Sequence, residues 1–324
     1  MLTGTTRVEE ETKQRVLAAI AATGYEPDQI AQSLVQQRSR TIALALLLGE
    51  GGFSLSGIGQ SRFYFYLHIL SEIERETAAA GYDLFLPSHP YSDFARYVST
   101  LKTRRVDGMI MIAPYPFEER VRAMIKSNIP TLFVDAVGQG PRASYVMVDH
   151  IGGCRQAIQH LLALGHRRIA ILTGEKDNDP ASQRLLGYQL ALAEAGVGMD
   201  EKLVLHAGFD RVEAYEAMVA LLKAYCGEFT AIVAASDMMA IGALRALREQ
   251  GIRVPEDVSV VGFDDIDLCP DIDPPLTTIR PDKEVLAQGA VRKLLDIIEN
   301  NGPVAPSIAS TQLVQRASTG PVLH

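Results

Sequence analysis

The sequence predicts an α/β protein of two doubly wound lobes, each built on a parallel sheet. Its 324 residues are 47% hydrophobic and 22% charged, which is enough chain and apolar mass for two domains of about 100 to 200 residues each. From residue 42 onward, strand-length apolar runs alternate with helical patterns. The runs are nearly continuous, as expected for parallel strands that are buried on both faces.

The first 41 residues predict two helices ahead of this body. Residues 8–24 have acidic side chains in the first turn, basic side chains later and a glycine at the end, which is the pattern of a helix. A second helical pattern spans residues 28–37 and is too short to persist alone in water. The ordinary alternative is that both helices simply pack on the body.

The body divides into two sets of elements in chain order. Strands of the first set are predicted over residues 42–48, 82–86, 108–112 and 131–134, with helices over 66–81, 93–103 and 117–127. Strands of the second set are predicted over residues 168–172, 203–206, 231–234 and 258–261, with helices over 151–164, 183–195, 211–226 and 238–251. Each set has the alternation of one doubly wound lobe, and two such lobes enclose a cleft.

Composition and charge exclude several classes of protein. The net charge of −8 argues against a protein whose whole surface binds polyanions, although it is compatible with a small basic module on an acidic body. Three cysteines are too few for a disulfide framework, which favours a reducing compartment. The N-terminus lacks the pattern of a secretory signal, and no apolar run approaches the about 20 residues that cross a bilayer. We therefore expect a soluble, cytoplasmic protein with no membrane partner.

Polar residues near strand and helix ends predict a binding site between the lobes. Four such positions stand out: Asp149, Arg184, Ser236 and Asp264. In open parallel sheets, ligands bind beyond the carboxyl ends of the strands, so two lobes would share one site. Each residue alone is explained as well by helix capping or by a loop charge. Together, an arginine fork at the start of a helix and carboxylates at strand ends suit a polyhydroxylated ligand, because each makes paired hydrogen bonds to neighbouring hydroxyls.

Aromatic side chains are candidates for stacking on a sugar ring. Phe209 follows a strand and a glycine, while Phe65 and Tyr66 stand in an aromatic stretch before a predicted helix. Packing in the core explains Phe65 and Tyr66 equally well.

Two groups of motifs resemble the lactose/galactose repressor (LacI/GalR) family. Near the N-terminus the resemblance rests on Gly24-Tyr25-x-Pro27, Ala31-x-Ser33-Leu34 and Arg38-x-Arg40. In the body it rests on five motifs in order: Gly165-His-Arg-Arg-Ile169, Ser182-Gln-Arg-x-x-Gly-Tyr188, Ser236-Asp-x-Met-Ala-x-Gly-Ala243, Val254-Pro-x-Asp-Val-Ser-Val-Val-Gly-Phe-Asp-Asp265 and Pro275-Leu-Thr-Thr-Ile-Arg-Pro281. The resemblance covers almost the whole chain and implies a ligand-responsive transcriptional repressor with the two-lobed fold of periplasmic binding proteins.

The resemblance also implies a domain organisation. Residues 1–41 correspond to part of a DNA-binding headpiece with its hinge helix, and residues 42–324 to the domain that binds effector and dimerises. On the family's usual headpiece layout this sequence starts roughly twenty residues late, so we expect it not to contain the family's helix-turn-helix. The remaining DNA contact is the hinge helix over residues 28–37, which folds on DNA and inserts an apolar side chain into the minor groove.

By motif position the inserted side chain is Leu34, with Ala31 and Ser33 beside it as further DNA contacts. Two departures weaken the expected contacts with phosphate: the family usually has Asn where Asp28 stands and a basic residue where Gln32 stands. The alternative is that Leu34 only packs against its neighbours.

For the body, the resemblance implies an effector pocket built on Arg184 and Asp264, with Asp149, Phe209 and Ser236 around it. The family usually has Asn at the position of Ser236, so a shorter side chain reaches toward the ligand here. The implied ligand is a small molecule, by preference a sugar, and the implied assembly is a homodimer on operator DNA. The first loop, residues 49–62, is longer than usual for the family, which predicts a reshaped pocket mouth.

An enzymatic function finds little support in the sequence. The lone Gly57-x-Gly59 lacks the spacing and the Lys-Ser/Thr of a phosphate-binding loop. Paired aspartates such as Asp264 and Asp265 have no matching acid or ligand set, and the seven histidines show no metal spacing. We expect no catalysis, no metal and no cofactor. The remaining alternative is a solute-binding protein of the same fold without a DNA-binding role, which would need a signal peptide and would have no use for the two leading helices.

Overall fold

The computed structural model describes residues 10–23, 38–46, 64–87, 94–112, 118–175, 178–225, 228–300 and 302–322. The first predicted helix is present as α1, Glu10–Thr23, which begins with two glutamates. The second predicted helix lies outside the described residues, and with it the candidate DNA contacts Leu34, Ala31 and Ser33. The first loop, residues 49–62, also lies outside them.

The first lobe is a six-stranded parallel sheet with helices on both faces. In chain order its elements are β1 (Thr41–Leu46), α2 (Tyr64–Ala79), β2 (Asp83–Phe85), α3 (Phe94–Thr103), β3 (Gly108–Ile112), α4 (Glu118–Ser127), β4 (Thr131–Val134) and β5 (Ala143–Val148). A late strand, β11 (Ser307–Ala309), completes the sheet in the order β11-β5-β4-β3-β1-β2. Every residue of β3 and β4 is buried, as the continuous apolar runs predict.

The second lobe repeats this plan. Its elements are α5 (His150–Ala163), β6 (Ile169–Thr173), α6 (Asp179–Glu194), β7 (Val204–His206), α7 (Arg211–Tyr225), β8 (Ala231–Ala234), α8 (Asp237–Glu249), β9 (Ser259–Phe263), β10 (Thr277–Pro281), α9 (Lys283–Asn300) and β12 (Thr311–Val314). The sheet order is β12-β10-β9-β8-β6-β7, in which β12 alone pairs antiparallel. The prediction of two doubly wound α/β lobes is confirmed.

The chain passes between the lobes three times among the described residues. It leaves β5 for α5 at Asp149, leaves β10 for α9 at Asp282, and leaves β11 for β12 at Ser310. As a result α5 packs on the second sheet although β5 belongs to the first, and α9 packs on the first sheet although β10 belongs to the second. The carboxyl ends of β5 and β10 therefore lie at the junction between the lobes.

The sequence misjudges some elements. Helix α6 begins at Asp179 and not at residue 183, because the Asn178 side chain caps it by accepting from the Ala181 backbone N–H at 3.1 Å and Pro180 fits its first turn. Arg184 thus lies in the second turn of the helix instead of opening it. Strands β10 to β12 and helix α9 were not predicted at all.

Candidate functional site

Carboxyl ends of strands from both lobes meet at the junction. Asp135 follows β4 and Asp149 follows β5 in the first lobe, while Ser236 and Asp264 follow β8 and β9 in the second. Because the strands of each sheet are parallel, their carboxyl ends share one edge, which is where open α/β sheets bind ligands. The structure therefore brings three of the four polar candidates to the predicted edge.

Arg184, the fourth candidate, lies at the centre of this junction. Its side chain is 3% exposed, and its guanidinium carbon is 3.7 Å from the centroid of the Phe263 ring. Nε donates to His150 Nδ1 at 3.2 Å, Nη1 donates to the carbonyl of Ala235, and Nη2 donates to Asp264 Oδ1 at 3.4 Å. A guanidinium has five N–H donors, so within the described chain two of them remain for a ligand.

Asp264 is a carboxyl held in an unusual state. It follows β9 with φ of +115°, a conformation that costs a non-glycine residue of order 1–3 kcal/mol and that clusters at functional sites. Its side chain is buried, and burial raises its pKa to about 8, although attraction to Arg184 favours the ionised form. The residue is therefore mostly protonated at neutral pH and ionises readily when a ligand supplies hydrogen-bond donors.

A buried polar network links this pair to the first lobe. Asp135 Oδ1 lies 3.2 Å from His150 Nε2 and accepts from the Val148 backbone N–H at 3.1 Å, while the Tyr66 hydroxyl donates to Asp135 Oδ2 at 3.4 Å. Since arginine only donates, His150 must accept from Arg184 at Nδ1 and carry its proton on Nε2, where it donates to Asp135. Contacts thus run without interruption from Tyr66 in one lobe to Arg184 in the other.

The charges of the network follow from its geometry. Burial opposes ionisation of Asp135, but the contact with His150 and the Val148 N–H hold the pKa of this carboxyl below its usual value. Burial lowers the pKa of His150 and raises that of Tyr66 well above its usual value. Asp135 is therefore ionised and both of its side-chain partners are neutral near pH 7. One negative charge and the Arg184 cation face each other across His150.

The aromatic candidates take two different positions. Phe209 is half-buried with φ of +58°, its ring covers Gly174, and its centroid is 5.6 Å from the Arg184 guanidinium carbon. Phe65 and Tyr66 lie within the first turn of α2 and are 6% and 8% exposed, with ring centroids 5.1 Å apart. They pack in the core of the first lobe, and Tyr66 also joins the polar network.

The two remaining candidates cap helices. Asp149 Oδ1 accepts from the Gly152 backbone N–H at 2.8 Å at the start of α5, and the Ser236 hydroxyl accepts from the Met239 N–H at 3.2 Å at the start of α8. Each caps with only part of its hydrogen-bonding capacity, because a carboxylate has a second oxygen and a hydroxyl still has its proton to donate.

Sequence reasoning missed Asp135 and His150. Both stand at positions that the strand-end rule covers, since Asp135 follows the predicted strand 131–134 and His150 is adjacent to Asp149. The described residues contain no group of histidine, cysteine or carboxylate side chains suited to a metal ion. Among the same residues, no helix combines the length and apolarity needed to cross a bilayer.

Comparisons with known proteins agree with this architecture. The family profile of the periplasmic binding protein-like domain matches residues 158–319. The transcriptional regulator CelR of Thermobifida fusca is 33% identical over 325 residues, which cover 98% of this chain and 92% of CelR. The transcriptional repressor PurR of Mannheimia succiniciproducens is 31% identical over 297 residues, which cover 91% of this chain and 85% of the relative.

Two solved structures extend the similarity to the fold. A complex of the regulator CelR with cellobiose superposes with a TM-score of 0.78 at 30% identity and covers 98% of this chain and 93% of that chain. A lac repressor dimer bound to operator and the anti-inducer ONPF superposes with a TM-score of 0.80 at 28% identity, with the same coverage. Both similarities include residues on either side of the junction between the lobes.

Proposed function

The chain belongs to the LacI/GalR family of ligand-responsive transcriptional regulators, and we propose that it binds a sugar between its lobes and couples this binding to operator DNA. Members of this family bind operator DNA as dimers and respond to effectors. For this chain we propose a homodimer that acts in the cytoplasm, where its DNA target would be. Cellobiose is the first ligand to test, because a relative that covers 98% of the chain was solved with it.

The observation that carries the proposal is the pairing of Arg184 with Asp264 at the meeting point of the two sheets. The guanidinium retains two N–H donors, and the carboxyl of Asp264 lies 3.4 Å from it. A donor fork beside a carboxyl that ionises when a ligand donates to it matches neighbouring sugar hydroxyls, each of which both donates and accepts. Phe209, half-exposed beside Arg184, offers an apolar face to the sugar ring.

Coupling to DNA is proposed to follow from rotation of the lobes. A ligand that contacts both lobes selects one relative orientation of them. In a dimer this rotation changes the separation of the two segments over residues 28–37, and so their ability to fold against DNA. A ligand that prefers the DNA-competent orientation is a corepressor, and one that prefers the other orientation is an inducer.

A thermal-shift panel tests the ligand site. Mono- and disaccharides including cellobiose, sugar phosphates and purines are added to the parent chain, to Arg184→Ala and to Asp264→Ala, because a ligand raises apparent stability by mass action. Arg167→Ala, which removes an exposed arginine at the far end of the second lobe, serves as the matched control. A sugar that stabilises the parent and the control but neither site variant supports the proposal. If no compound stabilises the parent, or if the site variants respond as the parent does, the proposed site is wrong.

The DNA arm of the proposal concerns Leu34, with Ala31 and Ser33. Leu34→Ala is expected to weaken binding to duplex DNA and to reduce the bend that an apolar wedge produces in the minor groove. Fluorescence resonance energy transfer between the duplex ends reports the bend. An unchanged bend removes Leu34 from this role.

A further inference from the structure

A cavity lies in the first lobe, at the edge opposite the proposed ligand site. Its volume is about 620 Å³. Most of the lining comes from short segments that precede strands β1, β3, β4 and β5, namely residues 38–39, 105–107, 127–130 and Arg142. The end of α3 adds Leu101 and Lys102, and α9 adds Ile298. The cavity therefore lies at the amino-terminal ends of the strands, whereas Asp135 and the polar network lie at their carboxyl-terminal ends.

The lining is strongly basic on a chain whose net charge is −8. Its cations are Arg38, Lys102, Arg105 and Arg142, and its only carboxylate is Asp107. The Asp107 carboxylate already has hydrogen-bond partners. It accepts from the backbone N–H of Ser39 at 3.0 Å and from that of Arg40 at 2.8 Å, just ahead of β1. The concentration of positive charge is thus a local property of this edge.

These cations have no acidic partners in the part of the chain that the structure describes. Arg38, Lys102 and Arg105 make no ion pair there within 4.0 Å. Arg142 donates from Nη1 to the carbonyl of Asn128 at 3.4 Å, and its Nε is buried with no hydrogen-bond partner among the described residues. A buried donor without a partner costs of order 1–3 kcal/mol, which an incoming acceptor would recover.

The distance between the two edges makes this a separate site. Strand β3 has five residues, and a strand rises about 3.3 Å per residue. The cavity therefore lies roughly 16 Å from the carboxyl edge, across a sheet whose central strands are fully buried. An effector held by Arg184 cannot reach it.

The position in the chain identifies the occupant. The cavity is lined by Arg38, the residue that directly follows the segment 28–37. Leu34 is four residues away, which is at most about 14 Å of extended chain. DNA that Leu34 contacts would place its phosphates within reach of the cavity, and duplex DNA carries one negative charge per about 1.7 Å of its axis. The cavity is also larger than a single phosphate group, as a stretch of sugar-phosphate backbone requires.

We propose that this basic cavity binds the sugar-phosphate backbone of DNA next to the hinge contact, so that the first lobe itself adds to DNA affinity. The inference deepens the proposed function and rests on its DNA arm. Phosphate contacts position a protein on the duplex without reading sequence. The cavity therefore contributes affinity and salt dependence, and base recognition belongs to other parts of the protein.

The salt dependence of DNA binding tests the cavity. Binding of a fluorescein-labelled 26-base-pair duplex of arbitrary sequence to the chain is measured by anisotropy between 50 and 200 mM KCl. The parent is compared with Lys102→Gln/Arg105→Gln. Each lost phosphate contact is expected to reduce the slope of log K against log [salt] by about 0.9. For two contacts, the loss of affinity across this salt range becomes about 12-fold smaller in the variant than in the parent.

The control variant, Lys223→Gln/Arg167→Gln, makes the same change in charge at exposed positions of the second lobe. It is expected to keep the parent slope. Both double variants should melt close to the parent, because all four side chains are exposed and the hydrogen bonds lost are those from Arg167 Nη1 to the carbonyls of Leu162 and His166. Equal slopes for the two double variants overturn the proposal, as does a parent that fails to bind the duplex at 50 mM KCl.

Binding of small anions and binding of sugar provide two further arms. Inorganic phosphate and pyrophosphate are added to the parent and to Lys102→Gln/Arg105→Gln in thermal-shift experiments. If these anions stabilise only the parent, and the salt dependence of DNA binding has the same slope in both proteins, the DNA assignment is overturned in favour of a small anion. If Lys102→Gln/Arg105→Gln reduces the salt dependence of DNA binding but no sugar stabilises the parent in an Arg184-dependent way, the cavity proposal is supported and the effector proposal is refuted. If a sugar stabilises the parent through Arg184 but the two double variants have equal slopes, the effector proposal is supported and the cavity proposal is refuted.

Discussion

Effector affinity is expected to rise steeply between pH 6 and pH 8, chiefly because of the Asp264 carboxyl, which burial and the neighbouring Asp237 carboxyl keep protonated. Burial raises the pKa of Asp264 to about 8 in the ligand-free protein, even with Arg184 beside it. Sugar hydroxyls donate most strongly to the ionised carboxylate, so binding below pH 8 must expel a proton. With a pKa near 8, the group is ionised in about 1% of molecules at pH 6 and in about half at pH 8, which changes the affinity about 50-fold.

Calorimetric titration with cellobiose, or with another sugar identified by the panel, measures this effect directly. Titrations at pH 6, 7, 8 and 9 give the affinity, and repetition in two buffers of different ionisation heat counts the protons released. About one proton is expected to leave at pH 6 and almost none at pH 9. His150 contributes nothing in this window, because burial lowers its pKa and keeps it neutral.

Two variants isolate the carboxyl. Asp264→Asn keeps an acceptor oxygen for Arg184 but cannot ionise, so its affinity should be low and independent of pH. Asp267→Asn changes an exposed carboxylate three residues further along the same loop and should retain the parent profile. An affinity that stays constant or falls from pH 6 to pH 8 in the parent, or a slope that survives in Asp264→Asn, would refute the reasoning.

Three further predictions concern stability and packing. The folded state keeps a proton on Asp264 that the unfolded chain loses, so the free energy of unfolding falls as pH rises from about 4 to about 8. Asp264→Asn should therefore raise the free energy of unfolding at pH 8 by on the order of 2–5 kcal/mol and leave it nearly unchanged at pH 4. Urea titrations at the two pH values measure both quantities. Asp135→Ala leaves two buried N–H donors unpaired, one of them on His150, and should cost about 2–5 kcal/mol of unfolding free energy; a cost below about 1 kcal/mol would contradict the network. Gly174→Ala would place a methyl carbon 2.2 Å from Phe209 Cε2, so the Phe209 ring must move. Sugar affinity should then fall about 2- to 12-fold. An unchanged affinity in calorimetric titration would show that Phe209 does not stack on the ligand.

The two lobes were predictable from the sequence because their central strands are buried on both faces. Strand β3 reads Gly-Met-Ile-Met-Ile and every residue of it is buried, so composition and position give the same answer. Strand β10 was missed because it begins with two threonines. Thr277 accepts the backbone N–H of Arg316 at 2.9 Å and Thr278 donates to Asp237 at 2.5 Å. These distant partners satisfy polar side chains inside the sheet, and no local pattern reveals them.

The site shows the same division. Strand ends pointed to Asp264 and Asp149 because parallel strands share one carboxyl edge, and that rule needs only local sequence. The contact between Arg184 and His150 joins residues 34 positions apart on the neighbouring helices α6 and α5 of the second lobe. His150 also reaches Asp135 of the first lobe, because the chain crosses from one lobe to the other between β5 and α5. A crossover is a property of topology, so sequence periodicity could not indicate that His150 belongs to the network.

The positions of the basic cavity and of Asp135 at opposite edges of the first sheet determine how the proposed DNA and ligand sites can communicate. The basic cavity lies at the amino edge of the first sheet, and Asp135 lies at its carboxyl edge. Strands β3 and β4 between them are fully buried, and close-packed interiors of this kind move as units rather than deform. A ligand that contacts Arg184 and shifts the contact between His150 and Asp135 across the junction is therefore expected to act by rotating the first lobe, and the amino edge would move with it. Because coupling is reciprocal, the factor by which duplex DNA changes the affinity of the proposed effector is expected to equal the factor by which that effector changes duplex affinity. If the cavity is part of this linkage, both factors shrink together in Lys102→Gln/Arg105→Gln.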